Sequence, residues 1–420
     1  MNKNTAIVIC PITKDVFRNP NDKLDEAVGL AAAINLNVVA ARHFRVGKIT
    51  PSTFINGAQV DALRTEVEEL QPEVVIIDAP LSPVNQRNLE RALKVKVIDR
   101  VGLILEIFGL RARTREGKLQ VDLARLSYQR SRLVGAWTHL ERQRGGGGVI
   151  SGPGETQKEL DRRKIDDTIL RLKKQLADVT RTRALNRKSR TTRPYPVVAL
   201  VGYTNAGKST LFNLLTGAKV MAQNLLFATL DPTMRQLKLP SGRQVILSDT
   251  VGFIDELPTH LIAAFRATLE EVLEADLILH VQDIANPEFK IHAEAVEKVL
   301  ADLGITDEDA VDHVMMVANK IDLLPAGERA KVTRELAADR GAAISAASGA
   351  GIPQLLKQID ARLSEHDAFR EYTIAIENGE ALAWLHRNGE VLSRKDTKKT
   401  MKLRVMLAED KAAMFEKRFA

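Results

Sequence analysis

The sequence predicts an α/β fold in several parts: an N-terminal parallel α/β domain carrying a coiled-coil helical hairpin, a central P-loop domain of mostly parallel sheet with helices on both faces, and a small C-terminal α+β domain. Three observations predict it. Short apolar runs alternate with amphipathic stretches over residues 1–115, heptad spacing replaces that rhythm over 116–193, and a strand–loop–helix phosphate signature opens the segment 196–366. At 420 residues the chain is too long for one core. Apolar residues at 45% and charged residues at 27% exclude a largely disordered chain. Cys10 is the only cysteine, which excludes a disulfide scaffold or a Cys-rich zinc module and points to a reducing, cytoplasmic setting. The best apolar stretch, residues 101–110, is interrupted by Glu106 and is shorter than the roughly 18 residues that cross a bilayer. No integral membrane segment is expected; peripheral association is the one membrane role retained.

Within 1–115, residues 6–10, 38–41, 74–78 and 95–99 read as buried parallel strands because they are short, apolar and β-branched. Residues 24–34, 57–70 and 83–93 read as the helices between them. Asp25-Glu26-Ala27-Val28 resembles a helicase box, but no phosphate loop precedes it and it opens an amphipathic helix, so a structural role is expected.

In the next segment Leu119, Leu123, Leu126, Leu133, Trp137 and Leu140 follow steps of four and three, with Arg130 in the missing seam position. Ile165, Ile169, Leu172, Leu176 and Val179 repeat the spacing. Two such arms bury their seams as an antiparallel coiled coil. The tip between them, residues 145–154, holds six glycines and a proline. It reads either as a flexible connector or as bare backbone made to approach another molecule closely. Residues 155–193 contain 13 bases and 6 acids, a surplus equal to the +7 of the whole chain. A solvated helix face would account for this; contact with nucleic-acid phosphates accounts for it better, because residues 181–193 hold six bases and no acid. Pro194 and Pro196 mark a boundary. Residues 367–420 read as strand (372–376), helix (380–387), strand (401–407) and terminal helix, with no recognisable chemistry.

The chemistry lies in 196–366. Gly202-Tyr203-Thr204-Asn205-Ala206-Gly207-Lys208-Ser209 fits the phosphate-loop pattern without deviation, after a strand at 197–201 and before a helix that begins at Thr210 and ends at Gly217. Its N–H groups suit a β-phosphate, Lys208 the β- and γ-phosphates, and the Ser209 hydroxyl a Mg²⁺ ion. A strand at 245–249 ends in Asp249-Thr250-Val251-Gly252, where Asp249 can hold the metal shell through water and Gly252 can give its N–H to the γ-phosphate. Phe227-Ala228-Thr229-Leu230-Asp231 lies where a switch loop would sit. Thr229 is chosen as the hydroxyl that binds the metal only while the γ-phosphate is present, with Thr233 its competitor. Asn319-Lys320-Ile321-Asp322 follows another strand run; the Asp322 carboxylate can accept both guanine N1–H and the 2-amino group, which adenine cannot offer. Ser345-Ala346-Ala347 follows, and the Ala346 N–H is assigned to guanine O6. Segment 196–366 is therefore expected to be a GTP-binding G domain that turns GTP into GDP with Mg²⁺, using Lys208, Thr229 and Gly252. Phe253 stands where Ras-like hydrolases carry the water-positioning glutamine, so unaided turnover is expected to be slow, on the order of 10⁻⁴ s⁻¹.

These strings, together with Gly152-Pro153-Gly154-Glu155-Thr156-Gln157 and the run from Arg111 to Gln120, resemble the HflX family of ribosome-associated GTPases. The resemblance implies guanine-nucleotide contacts at the five strings above, with Ser209 and Thr229 as magnesium ligands. It implies binding to the large ribosomal subunit and its RNA through the basic hairpin and Gly-rich loop, the tip directed at the peptidyl transferase centre. It also implies ribosome-stimulated hydrolysis and the splitting or rescue of stalled ribosomes under stress. The alternative is a GTP-gated RNA-binding switch or a large-subunit assembly factor in which hydrolysis is secondary. A monomer is expected. Ser-Ala-Ala in place of the common Ser-Ala-Lys removes a lysine stem from the base pocket, and a weaker affinity is expected from it.

Overall fold

The computed structural model describes residues 4–13, 19–143, 153–190, 195–218, 226–227, 233–255, 272–305, 313–338, 340–364, 367–397 and 399–419. The chain forms two compact units: Met1–Thr180 with Gln223–Asp231 and Asp255–Ala267, and Arg181–Ala222 with Pro232–Ile254 and Thr268–Ala420.

The first unit opens with β1 (Thr5–Thr13), α1 (Pro20–Ala33), β2 (Asn37–Val46), α2 (Gly57–Leu70), β3 (Val74–Ile77), α3 (Pro83–Leu93), β4 (Lys96–Asp99) and α4 (Arg100–Arg111). The four strands form a parallel sheet in the order β2-β1-β3-β4. The expected parallel α/β layer is thus present. Helices α2 and α3 occupy the extents read from the sequence because side chains fix their starts. Asn56 with Gln59 and Ser82 with Asn85 form capping boxes, and Pro83 stands at the first helical position. Strand β2 runs on through Arg42 and His43, past the apolar run, because a sheet-edge strand can expose those side chains.

The helical hairpin is α5 (Arg115–Gln143) and α6 (Pro153–Arg190). On α6, Ile169 is buried and Ile165, Leu172, Leu176 and Val179 are half-buried, as a seam requires, while Leu170 is exposed. Arg130, the polar residue in the α5 seam, is answered across the pair: its Nε lies 2.5 Å from the Asp166 carboxylate. Residues 144–152, which hold most of the Gly-rich tip, lie outside the described residues.

The second unit contains β5 (Val197–Val201), α7 (Lys208–Thr216), β6 (Thr233–Lys238), β7 (Gln244–Asp249), β8 (Leu277–Asp283), α8 (Phe289–Asp302), β9 (Val314–Asn319), α9 (Ala326–Ala338), β10 (Ala342–Ala343) and α10 (Ile352–Leu363). Its six strands follow the order β10-β9-β8-β5-β7-β6, parallel except for β6. β5, at the centre and fully apolar, delivers its following loop to the carboxyl edge, where ligands bind in such sheets. The C-terminal part is a three-stranded antiparallel sheet, β11 (Asp367–Ala375), β13 (Thr400–Ala408) and β12 (Glu390–Asp396) in that order, with α11 (Gly379–Asn388) and α12 (Glu409–Phe419) packed around Leu385, Leu403, Val405 and Phe415. Among the described residues no helix is long and apolar enough to cross a membrane.

A buried charge cluster closes the carboxyl edge of the first sheet. The Arg100 guanidinium donates to Asp78 Oδ1 and to Glu26 Oε1, both at 2.6 Å, and to the Asp255 carbonyl at 3.1 Å. Glu26, read from the sequence as structural, does hold this arginine. The Cys10 thiol lies against Asp78, and burial pushes it up to about 12, so it stays protonated and unreactive. Removing Arg100 leaves two carboxylates buried without their cation. Arg100→Ala is therefore expected to cost about 3–5 kcal/mol of stability, read by denaturant unfolding. Lys at the same position should recover only part of it, since a point charge cannot serve both acids in a fork.

Candidate active site

Strand β5 ends in the phosphate loop, and α7 starts directly after it. Gly207, at φ +95°, makes the turn, and a Cβ there would lie 2.2 Å from Asn319 Nδ2, so no larger residue fits. Asn205 sits at φ +61°, a conformation its short polar side chain tolerates. Lys208 is buried and folds back over the loop, donating from Nζ to the Gly202 carbonyl at 2.9 Å and the Tyr203 carbonyl at 2.8 Å. The loop is stitched to the strand-end after Asp249: Phe253 N donates to Gly202 O at 3.1 Å, and Thr204 N to Phe253 O at 2.7 Å. The Tyr203 ring stacks on His292 of α8, centroids 3.9 Å apart and 11° from parallel. Thr210 is exposed on α7.

Asp249 closes β7, and its Oδ2 accepts from Ser209 Oγ at 2.8 Å. Thr250 is tied inward, its hydroxyl donating to Leu200 O at 2.6 Å, and Val251 is buried. A Cβ on Gly252 would lie 2.9 Å from Thr204 Cγ2 and 3.2 Å from Lys208 Nζ, so glycine keeps this corner open beside the ammonium. A hydroxyl and a carboxylate converging beside the phosphate loop are hard oxygen donors, the set a Mg²⁺ ion accepts while keeping most of its waters. Phe227 is buried in the first unit, edge-on to Phe108 at 4.8 Å. Ala228, Thr229, Leu230 and Asp231 lie outside the described residues. Thr233, the competitor, is the first residue of β6 and pairs with Asp249 in the antiparallel ladder.

At the base-reading end, Asn319 finishes β9 fully buried. Its Nδ2 donates to Ala206 O at 2.8 Å, and its Oδ1 accepts from Ala346 N at 2.9 Å. The Ala346 N–H assigned to guanine O6 is thus engaged by Asn319, because this amide needs both a donor and an acceptor once buried. Ala347, next in the loop, is exposed, and Ser345 is buried with its hydroxyl accepting from Ser348 N at 3.1 Å. Lys320, at φ +66°, pairs with Asp283 at 2.7 Å. Ile321 is buried beneath the turn, whereas Asp322 is exposed and open to a base. The structure therefore brings the phosphate loop, Asp249 to Gly252, Asn319 to Asp322 and Ser345 to Ala347 to one edge of one sheet. Sequence reasoning missed His292 and Asp283; an acid closing the apolar run of β8 was the available signal for the second.

Electrostatics follow from burial. Burial pulls the Lys208 ammonium down to about 8, against an opposing pull from Asp249. His280, in β8 behind the loop, is lowered to about 4 by burial and then by Lys208, and stays neutral at pH 7.

Four family models match along the chain: GTP-binding GTPase N-terminal at residues 21–109, GTP-binding GTPase Middle Region at 111–190, 50S ribosome-binding GTPase at 197–320, and HflX C-terminal domain at 330–420. GTPase HflX of Magnetococcus marinus is 47% identical over 404 residues, covering 96% of this chain and 92% of that one. GTPase HflX of Escherichia coli is 46% identical over 314 residues, 75% and 72% of the two chains. Among solved structures, a GTP-binding protein from the archaeon Sulfolobus solfataricus in complex with GDP is similar at 22% identity and a TM-score of 0.46, covering 86% of this chain and 99% of that one.

Two outcomes are expected from this geometry. A phosphate bound beside Lys208 raises its pKa from about 8, so nucleotide binding above pH 8 takes up a proton and weakens as pH rises. Calorimetry in buffers of different ionisation heat measures that uptake. The stability of the unliganded chain runs the other way. Between pH 8 and the ordinary lysine range the unfolded chain binds the extra proton, so this group's contribution to stability rises with pH. Second, Asn319→Ala strands the Ala206 carbonyl and the Ala346 N–H, and is expected to weaken GDP binding by roughly 10–100-fold. Asn319→Asp, which keeps the acceptor only, should fall between.

Proposed function

The chain belongs to the HflX family of GTPases and is a GTP-hydrolysing enzyme; from that premise we propose that it works with Mg²⁺, binds the large ribosomal subunit through its basic hairpin, and splits or rescues stalled ribosomes under stress, the ribosome stimulating hydrolysis. The observation that carries the nucleotide half is the Asn319 side chain, which bonds at once to the phosphate loop and to the Ala346 loop beside Asp322. The ribosomal half draws on the 13 bases against 6 acids in residues 155–193 and on the Gly-rich tip they flank.

In this reading the loop N–H groups and Lys208 hold the β- and γ-phosphates, and Asp322 selects guanine over adenine through two hydrogen bonds. Because the Ala346 N–H is engaged by Asn319, the carboxylate carries most of the base discrimination. Ser209 and Thr229 would hold Mg²⁺, with Asp249 acting through water; the ion, when bound, neutralises charge on the phosphate oxygens. Gly252, open beside Lys208, leaves room for its N–H to meet the γ-phosphate. Phe253 is buried with its backbone stitched to the loop, so its side chain orients no water. A partner must order the attacking water or contribute a polar group, which is why ribosome stimulation is part of the proposal. Phe253 also favours the second reading, a GTP-gated RNA-binding switch in which hydrolysis only resets the state.

Single-turnover hydrolysis with and without purified large subunits decides between them. The first reading expects a slow basal rate that rises at least a hundredfold with subunits, and Lys208→Ala abolishing both rates. A rate unmoved by subunits that nevertheless cosediment in the GTP state selects the switch.

A further inference from the structure

The side chain assigned to the base has little holding it in place. Asp322 is exposed, and among the described residues its carboxylate makes no hydrogen bond or ion pair. Its direction is therefore set by its backbone. Asp322 lies in a single 3₁₀ turn, Ile321–Leu323, entered through Lys320 in the left-handed region at φ +66°. Two backbone bonds define the turn: Leu323 N donates to Lys320 O at 3.0 Å, and Leu324 N to Ile321 O at 3.2 Å. So short a turn is weak by itself, because its bonds are poorly aligned. Its entry is tied down, since Ile321 N donates to Ile344 O at 3.2 Å and the Lys320 ammonium pairs with Asp283 at 2.7 Å. Neither bond reaches Asp322.

The sequence cuts the turn short just beyond it. The next carbonyl in the series, that of Asp322, would accept from residue 325, but Pro325 has no N–H. Leu324, the residue before that proline, leaves the helical region for ψ 147°. The Asp322 carbonyl is thus a helix-end acceptor deprived of its backbone donor. Arg329 supplies one. Its Nη2 donates to the Asp322 carbonyl and to the Leu324 carbonyl, both at 3.2 Å. One guanidinium nitrogen carries two N–H groups, so it can serve the pair. Among the described residues Arg329 is the only side chain that hydrogen-bonds to Asp322.

Its own helix does not account for this arginine. α9 begins at Ala326, so Arg329 stands at the end of the first turn, where the helix dipole disfavours a cation. It makes no ion pair among the described residues. A helical side chain leans back toward the start of its helix, which directs Arg329 to the turn that carries Asp322. There it meets the carbonyl end of the 3₁₀ turn, the end that attracts positive charge.

We propose that Arg329 is a positioning residue for base recognition: by fixing the Asp322 and Leu324 carbonyls it aims the Asp322 carboxylate, so that both carboxylate oxygens meet the guanine edge. It acts through Asp322 and not by touching the nucleotide. The inference deepens the proposed function and rests on its reading that Asp322 takes the guanine N1–H and 2-amino protons. Because Asn319 already engages the Ala346 N–H, the aim of that carboxylate decides most of the discrimination.

The test uses those two protons. Hypoxanthine keeps N1–H and lacks the 2-amino group, so inosine diphosphate (IDP) can make one of the two bonds and GDP both. Calorimetry with the full chain and Mg²⁺ gives the two dissociation constants and their ratio. Arg329→Ala is expected to lower the preference for GDP over IDP by roughly three- to tenfold, because a carboxylate free to swing loses two bonds to guanine and one to hypoxanthine. Arg329→Lys should fall between, since an ammonium lacks the planar fork that fixes two acceptors at once. An arginine needed only for stability would lower the thermal midpoint and weaken both nucleotides alike. Arg329→Gln supplies the ratio, with a fall in the same direction, should the alanine variant fail to fold. An unchanged ratio in these variants overturns the proposal, and so does an equal loss of GDP and IDP. Asp322→Ala checks the reading beneath it. If that variant keeps the wild-type ratio, the base is recognised elsewhere and both readings fall; if it abolishes the preference while the Arg329 variants leave it intact, only the positioning role is lost.

Discussion

The Asn319 carboxamide donates to the Ala206 carbonyl, 113 residues back in the chain, and accepts from the Ala346 N–H, 27 residues ahead. Only an amide offers a donor and an acceptor a fixed distance apart on one short side chain. Fully buried, it must satisfy both, since an unpaired polar atom there costs about 1–3 kcal/mol. The phosphate loop and the base-side loop are therefore not independent: each takes its position partly from the same group. The constraint extends to Gly207, whose missing Cβ makes room for Asn319 Nδ2. Glycine in the loop is thus required by a neighbouring side chain as well as by its own backbone angle.

A second constraint acts at the other end of the loop. The Phe253 backbone bonds to Gly202 and Thr204 on both sides, and its ring is buried. A side chain used this way anchors the loop to the strand-end that carries Asp249. It cannot also reach into solvent to hold a water. The same burial that secures the loop brings Lys208 down to about 8, because its ammonium has carbonyl oxygens for partners and no full counter-charge in contact. The site is thus built around a positive charge that becomes comfortable only when phosphate arrives. That is a source of binding energy, and it couples nucleotide occupancy to protonation.

Much of this was legible. The phosphate loop reads from spacing alone, and α2 and α3 read to the residue, since capping boxes and Pro83 are local signals. The string from Gly152 to Gln157 points to the family to which the chain belongs. What escaped has physical reasons. β12 was missed because Ser393, Arg394, Lys395 and Asp396 supply no apolar alternation; an edge strand with one solvent face needs little of it. β6 is likewise a polar edge strand. The Arg100 cluster joins α4 to Glu26 of α1 and to Asp78, just past β3, so no local pattern announces it. At Ala346 the sequence shows that an N–H is present, but not that a buried amide, Asn319, accepts from it. Arg130 in the α5 seam was visible as an exception, and its partner Asp166 was not, because the register between two helices is a tertiary fact.

The layout of charge links these observations to the proposed function. A chain whose excess lay evenly over its surface would be attracted to any polyanion in any orientation. Here a surplus of seven falls in residues 155–193 and five in the stretch from Ser393 to Arg404, against a deficit elsewhere. An uneven distribution of this kind gives the molecule a direction in the field of a nucleic acid: the basic segments are drawn in and the acidic remainder is held off.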